Sequence, residues 1–184
     1  QAIEIALEFL ARIGIRWTAH PSADEVRAEY DELRRNLREK PVETWRDLPP
    51  MTDPEALAAM EVLLQLAPAS ALATDGNLLC ACVCRMANLT YAHGSSEGSP
   101  SAFVWLGVVL GAHLGDYQSG YRFARLGLDL VEERGLERFR LRANMLFAAH
   151  VNPWSQPFSA GRPMLERAFS EANELGALTF ASYC

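Results

Sequence analysis

Three cysteines spaced two apart, in Cys80-Ala-Cys82-Val-Cys84, are the first residues here whose type and spacing suggest chemistry. Thiolates bind metal ions, and Cys80 and Cys84 stand one helical turn apart, close enough to share one. Structural zinc sites usually take their cysteines from loops, with two to four residues between the paired ligands. This trio instead falls inside a helical pattern. Neighbours two apart on a helix point to different sides, which also disfavours a disulfide between them. With Cys184 they are expected to be free thiols of a reducing cytoplasm, the first three buried, with neither metal nor cofactor.

The other reactive types are scattered. His20, His93, His113 and His150 show no His-Glu-x-x-His spacing, and three of them fall at or near predicted helix ends, where a cation suits the dipole. The glycine- and serine-rich Gly94–Pro100 lacks the Gly-Lys-Ser/Thr ending of a phosphate loop, and no strand precedes it. A Gly-x-Ser-x-Gly nucleophile elbow is absent as well. No catalytic residues are therefore expected, and the stretch reads as non-enzymatic.

Contact residues are a better prospect. Arg85 and Asn88 are polar within an apolar helix, and Tyr91 follows one turn on. A partly buried arginine–carboxylate pair is their ordinary role, and contact with a ligand or peptide is the functional one. Trp105 joins them as a candidate wall of a small-molecule pocket between helices. Asn152 and Trp154, in Asn-Pro-Trp, offer an indole to a partner domain, or a staple for the adjacent hairpin.

The elements that must carry these residues are all helical. The 184 residues are 49% hydrophobic and 22% charged, and the net charge of −6 leaves no surplus of cations to neutralise nucleic-acid phosphates. No apolar run is expected to be long enough to cross a bilayer, and Glu4 and Glu8 within the first apolar pattern are unlike a signal peptide.

A first helix from Ala2 to about Ile13 is followed by a second after Pro21, capped by Ser22 or Asp24. Val26, Tyr30, Leu33 and Leu37 form its one apolar stripe. Arg34, Arg35, Arg38 and Lys40 are expected on a solvated face, balanced by Glu29, Asp31 and Glu32. A proline-rich linker, 41–53, should tuck Trp45 inward. Thr52 or Asp53 then caps a helix that Pro68 stops or kinks, and Asp75 caps the helix Asn77–His93. Further helices are expected over Ser101–Leu114, from Asp116 to Gly135, over Leu136–Val151, and from about Ser159 to Leu175, the last starting near Arg162 or kinked by Pro163.

Gly94, Gly135 and Gly176 stand 41 residues apart. At that offset Gly120 falls on Gly161, Phe123 on Met164, Leu128 on Phe169, Trp105 on Leu146, Gly107 on Ala148 and Phe139 on Phe180. Small residues among aromatics at matched places suit helices that cross closely. The expected fold is thus an all-α solenoid of antiparallel helical hairpins, tetratricopeptide-like, with repeats of about 40 residues. Its divisions are a hairpin over 1–40, the linker 41–53, repeats at 54–94, 95–135 and 136–176, and the start of another at 177–184. The ends at Gln1 and Cys184 suggest one helical-repeat domain cut from a longer protein.

Several strings carry a resemblance: MTDP at 51–54, NLLCACVCRMANLTYAHGSSEGSPSAFVWLGVVLG at 77–111, GDYQSGYRFARLGLDLVEERGLERF at 115–139, VNPW at 151–154 and LTFASY at 178–183. Together they resemble the long helical region of large bacterial signalling proteins. Those proteins join an AAA/STAND-type ATPase to GAF and histidine-kinase modules, many with a serine/threonine-kinase-like domain in front. The resemblance implies a cytoplasmic tetratricopeptide-like scaffold or sensor arm. Its partners would be the ATPase, GAF and kinase domains of the same polypeptide, or a partner protein or peptide. It brings no catalytic residues, since none of that family's catalytic motifs occurs here.

Overall fold

Caps and breakers divide the chain into helices, and the computed structural model describes all 184 residues as an all-α protein with one isolated parallel bridge, Pro50 to Ser95. Two compact units result, Gln1–Ala102 and Phe103–Cys184.

In the first unit, α1 (Ala2–Arg12) and α2 (Ala23–Glu39) precede a 3-10 turn at Val42–Asp47, then α3 (Pro54–Ala73) and α4 (Asn77–His93). Ser22 caps α2 reciprocally: its hydroxyl accepts from the Glu25 N–H while the Glu25 carboxylate accepts from the Ser22 N–H. Asp53 caps α3, with Pro54 at the first helical position where no N–H is needed. The cap of α4 is Gly76, in the left-handed region at φ 88°, and Asp75 helps from one residue earlier by accepting from the Asn77 N–H. Trp45 is fully buried and its indole donates to the Lys40 carbonyl at 3.0 Å, so the linker is pinned as expected. The packing differs from a simple first hairpin: α1 lies on α3 and α2 on α4, so both N-terminal helices meet the α3–α4 pair.

Two expectations about α3 are corrected. Of the two outcomes expected at Pro68, a stop or a kink, the stop is overturned, because the helix runs on to Ala73. Burial of Leu63, Leu64, Leu66, Ala67 and Ser70 around the proline offsets the lost backbone bond. The helix is also, by length and composition alone, able to span a bilayer: 20 residues with a mean hydropathy of 1.6 in its most apolar window. The sequence reading overlooked this because Glu55 and Glu61 interrupt the apolar letters. Ala56, Ala59, Met60 and Leu63 are buried in the first unit, and a core helix has the same composition.

α5 (Ser99–Val108) crosses the sequence boundary between the units and ends in a π turn, Val109–His113, where a plain helix to Leu114 was expected. The second unit continues with α6 (Tyr117–Glu133), α7 (Glu137–Leu146), a second π turn at Phe147–Val151, a 3-10 turn at Asn152–Trp154, α8 (Phe158–Glu174) and the short α9 (Leu178–Ala181). Consecutive helices pack: α6 on α7, α7 on α8, and α8 on α9. α8 starts at Phe158, so Pro163 lies inside it rather than at its first turn near Arg162.

The 41-residue period is explicit in this unit. α6 begins at Tyr117 and α8 at Phe158, 41 residues on, and both are 17 residues long. α7 begins at Glu137 and α9 at Leu178, again 41 on. Both long helices close with the same hydrogen bonds. Leu136 N–H donates to Val131 O at 2.9 Å and Ala177 N–H to Ala172 O at 2.8 Å, while Gly135 donates to Glu132 and Gly176 to Asn173, each at 3.1 Å. These are Schellman closures, in which a glycine at positive φ turns the chain out of the helix. Gly135 and Gly176 supply it at 61° and 68°.

Gly94 is different. Its φ of 97° goes with ψ of 180°, and it leads the chain into the bridge beside Pro49 and Pro50. The even spacing of the three glycines therefore joins two equivalent helix ends to one of another kind.

Candidate functional site

The polar residues on α4 are positioned by α2. Glu29 falls three residues after Val26 and four before Leu33, on the apolar stripe, so its carboxylate is carried inward. From its charge alone Glu29 is expected on a solvated face. Instead its side chain is 5% exposed and pairs with the Arg85 guanidinium, whose carbon stands 5.9 Å from the Trp17 ring centre. Asn88 completes the cluster. Its amide nitrogen donates to the Glu29 carbonyl at 3.0 Å and to the Glu29 carboxylate at 3.3 Å, and its oxygen accepts from Asn36 at 3.0 Å. Burial pushes the Glu29 carboxyl above its ordinary value, Arg85 and Asn88 pull it back, and Glu32 adds to the rise. The cluster is a buried charge held by its partners, a device that fixes how α2 sits on α4.

Tyr91 joins the same side of α4. Its hydroxyl donates to Glu39 at 2.6 Å, its ring lies 5.4 Å from that of Trp45, and the Lys40 ammonium stands 5.3 Å from its centre. Arg85, Asn88 and Tyr91 are thus brought together along one helix, each engaged by another part of the first unit.

Beside Arg85, an open cavity of ≈ 210 Å3 lies between the end of α1, the start of α3 and α4. Ile13, Ala56 and Leu89 give it apolar walls, and Asp53, Arg85 and His93 line its polar part. His93 Nδ1 stands 3.2 Å from the Asp53 carboxylate. Arg85 is the one anticipated contact residue that lines this space.

The remaining three belong to the second unit. Trp105, on α5, is buried, and its indole N–H has no hydrogen-bond partner. Asn152 is buried too, with its amide nitrogen unpartnered and facing Gly161. Trp154 is exposed and stacks on Tyr117 with ring centres 5.3 Å apart, so it both staples the start of α6 and offers a face to solvent.

The cysteine trio is sealed. Burial pushes the Cys80 thiol up to about 11, and Cys82 and Cys84 are pushed higher still by burial and by the nearby Glu29 charge. No group of three or more His, Cys, Asp or Glu side chains is arranged to hold a metal ion.

No protein-family model matches the chain. No solved structure matches it either. Among known proteins it is similar to the hybrid signal transduction histidine kinase G of Dictyostelium discoideum, at 23% identity over 204 residues, covering 98% of this chain and 6% of that protein. The chain therefore spans a small part of its relative's length.

Proposed function

We propose that this chain is a non-catalytic helical-repeat scaffold within a larger signalling protein, stacking hairpins of about 40 residues as a tetratricopeptide-like solenoid. The observation that carries this reading is the 41-residue identity of helix starts and Schellman closures between α6–α7 and α8–α9. Within the second unit α6, α7, α8 and α9 pack in consecutive order, as the helices of such a repeat do. The likeness over nearly the whole chain to a stretch of a signal transduction histidine kinase supports the signalling context. In such a protein the scaffold holds an ATPase or kinase domain relative to its sensor and shifts the active population through differential contacts. Its partners are then domains of the same cytoplasmic polypeptide.

The test is to measure binding of the purified chain to each flanking domain of its parent protein, alongside nucleotide hydrolysis by the chain itself. The reading expects saturable binding to at least one domain and no hydrolysis. Hydrolysis abolished by a point change in this chain, or binding to none of the domains, would overturn it.

The cavity at Arg85 favours a second reading, a small-molecule sensor. Thermal stabilisation by a metabolite, lost in Arg85→Ala, would select it over the scaffold.

A further inference from the structure

Arg85, Leu89 and His93 follow one another at four-residue steps, so they form one line along α4, and all three border the same cavity. At the rise of a helix that line is roughly 12 Å long. α3 and α4 are joined by a short turn and pack on each other, and His93 meets Asp53 at the start of α3. The two helices therefore run antiparallel. Asp53 and Glu55 lie at the His93 end of the line, and Ala56 and Ala59 follow towards Arg85. The space is thus cationic at one end, acidic at the other and apolar between.

Each end has capacity left over. Arg85 bonds Glu29 through one terminal nitrogen, and its Nε is buried with no hydrogen-bond partner. A guanidinium carries several N–H donors and takes a carboxylate best through two of them. At the far end both Asp53 oxygens are occupied, one accepting from the Glu55 N–H and the other facing His93. The Glu55 carboxylate borders the same space and is exposed, free to meet a cation. A volume of ≈ 210 Å3 suits a molecule smaller than a drug.

We propose that this cavity binds a linear zwitterion of the ω-amino-acid class. Its carboxylate lies on Arg85, its ammonium on Glu55, and its methylene chain along Leu89, Ala56 and Ala59. A simple carboxylic acid leaves Glu55 without a partner, and a simple amine leaves Arg85 without one. An α-amino acid carries both charges on one carbon and cannot reach the two ends together. The inference rests on the sensor reading of the cavity given above and names the ligand that reading lacks.

The experiment titrates this chain with ε-aminocaproate, caproate, hexylamine and glycine, by calorimetry at low salt. Saturable binding of ε-aminocaproate is expected, with each of the other three weaker by about tenfold or more, since each forfeits a charge-assisted contact. Glu55→Gln and Arg85→Lys should each weaken ε-aminocaproate by a similar factor. Arg85→Lys keeps a cation beside Glu29 and removes the fork. Glu55→Gln alters an exposed side chain, so it decides the matter even where Arg85→Lys loosens the fold. No saturation by about 10 mM overturns the proposal. So does equal binding of caproate or hexylamine, or binding that Glu55→Gln leaves unchanged. A different metabolite that binds here and is lost in Arg85→Ala, with ε-aminocaproate inert, overturns the ligand class and leaves the sensor reading standing. A cavity that takes no small molecule removes both.

Discussion

The Gly107 carbonyl oxygen lies 2.9 Å from the point where a Cβ on Gly120 would stand, and one period later the Ala148 carbonyl oxygen lies 3.0 Å from that point on Gly161. Two helix crossings are therefore built alike, each closed to the distance at which only a hydrogen fits. A Cβ on Gly107 would in turn meet the Cβ of Ala124 at 2.5 Å and the Gly120 carbonyl at 2.7 Å. The crossing is tight from both sides.

Gly107→Ala and Gly120→Ala should each destabilise by roughly 1–3 kcal/mol, as overpacking does in a filled core. Gly107→Ala is the more costly, because its Cβ meets backbone and a fixed Cβ together. Gly161→Ala should fall at the lower end, since one of its neighbours is the Asn152 side chain at 3.2 Å. Chemical denaturation of the three variants checks the order. Equal melting of all three with the parent would contradict the crossings.

Gly135 and Gly176 test the helix closures separately from packing, because a Cβ at either would meet open space. Their cost is conformational alone. Substitution to Ala forces a side chain into the left-handed region, at about 1–2 kcal/mol. The two variants should lose similar amounts in denaturant titrations, because the two closures share the same hydrogen bonds and positive φ.

Glu29 predicts a pH dependence. Its carboxyl holds its proton more tightly in the fold than its ordinary value of 4.5. Such a group contributes stability that is fully present below the ordinary value and lost as pH rises through the raised one. The stability of the parent relative to Glu29→Gln should therefore fall on going from about pH 4 towards neutrality. Glu29→Ala, which removes the carboxylate from the Arg85 guanidinium, should cost about 3 kcal/mol or more at neutral pH. Urea titrations across pH measure both, and a flat difference curve would contradict the burial argument.

The thiols give a simple chemical readout. Cys184 is partly exposed, while Cys80, Cys82 and Cys84 are buried and held protonated. A maleimide reagent at pH 8 should label Cys184 first and the other three only on unfolding, as peptide mass spectrometry would show. Rapid native labelling of Cys80 would contradict the packing of α4.

Much of this was readable in the letters. Ser22 with Glu25, Asp53 with Pro54, and Asp116 mark helix starts by chemistry that acts within four residues, and all three cap as their types suggest. Gly120 over Gly161 was legible as a repeat because both positions need the same absence of a side chain. Gly94 misled for the opposite reason: its conformation is set by Pro49 and Pro50, more than forty residues away, and no local pattern reports that bridge. Pro68 sits within a helix whose packing overrides a local penalty, and Pro163 lies inside α8. Among the anticipated contact residues, Glu29 was the missing partner of Arg85 and Asn88. Its place on the Val26–Leu33 stripe was the signal that could have found it.

The proposed role of this chain is to carry contacts between domains of a larger signalling protein. Hydrogen–deuterium exchange, measured on the chain alone and within its parent protein, tests it most directly. A scaffold in that role shows slower exchange within the larger protein over a connected set of helices. Identical exchange at every amide in both settings would contradict it.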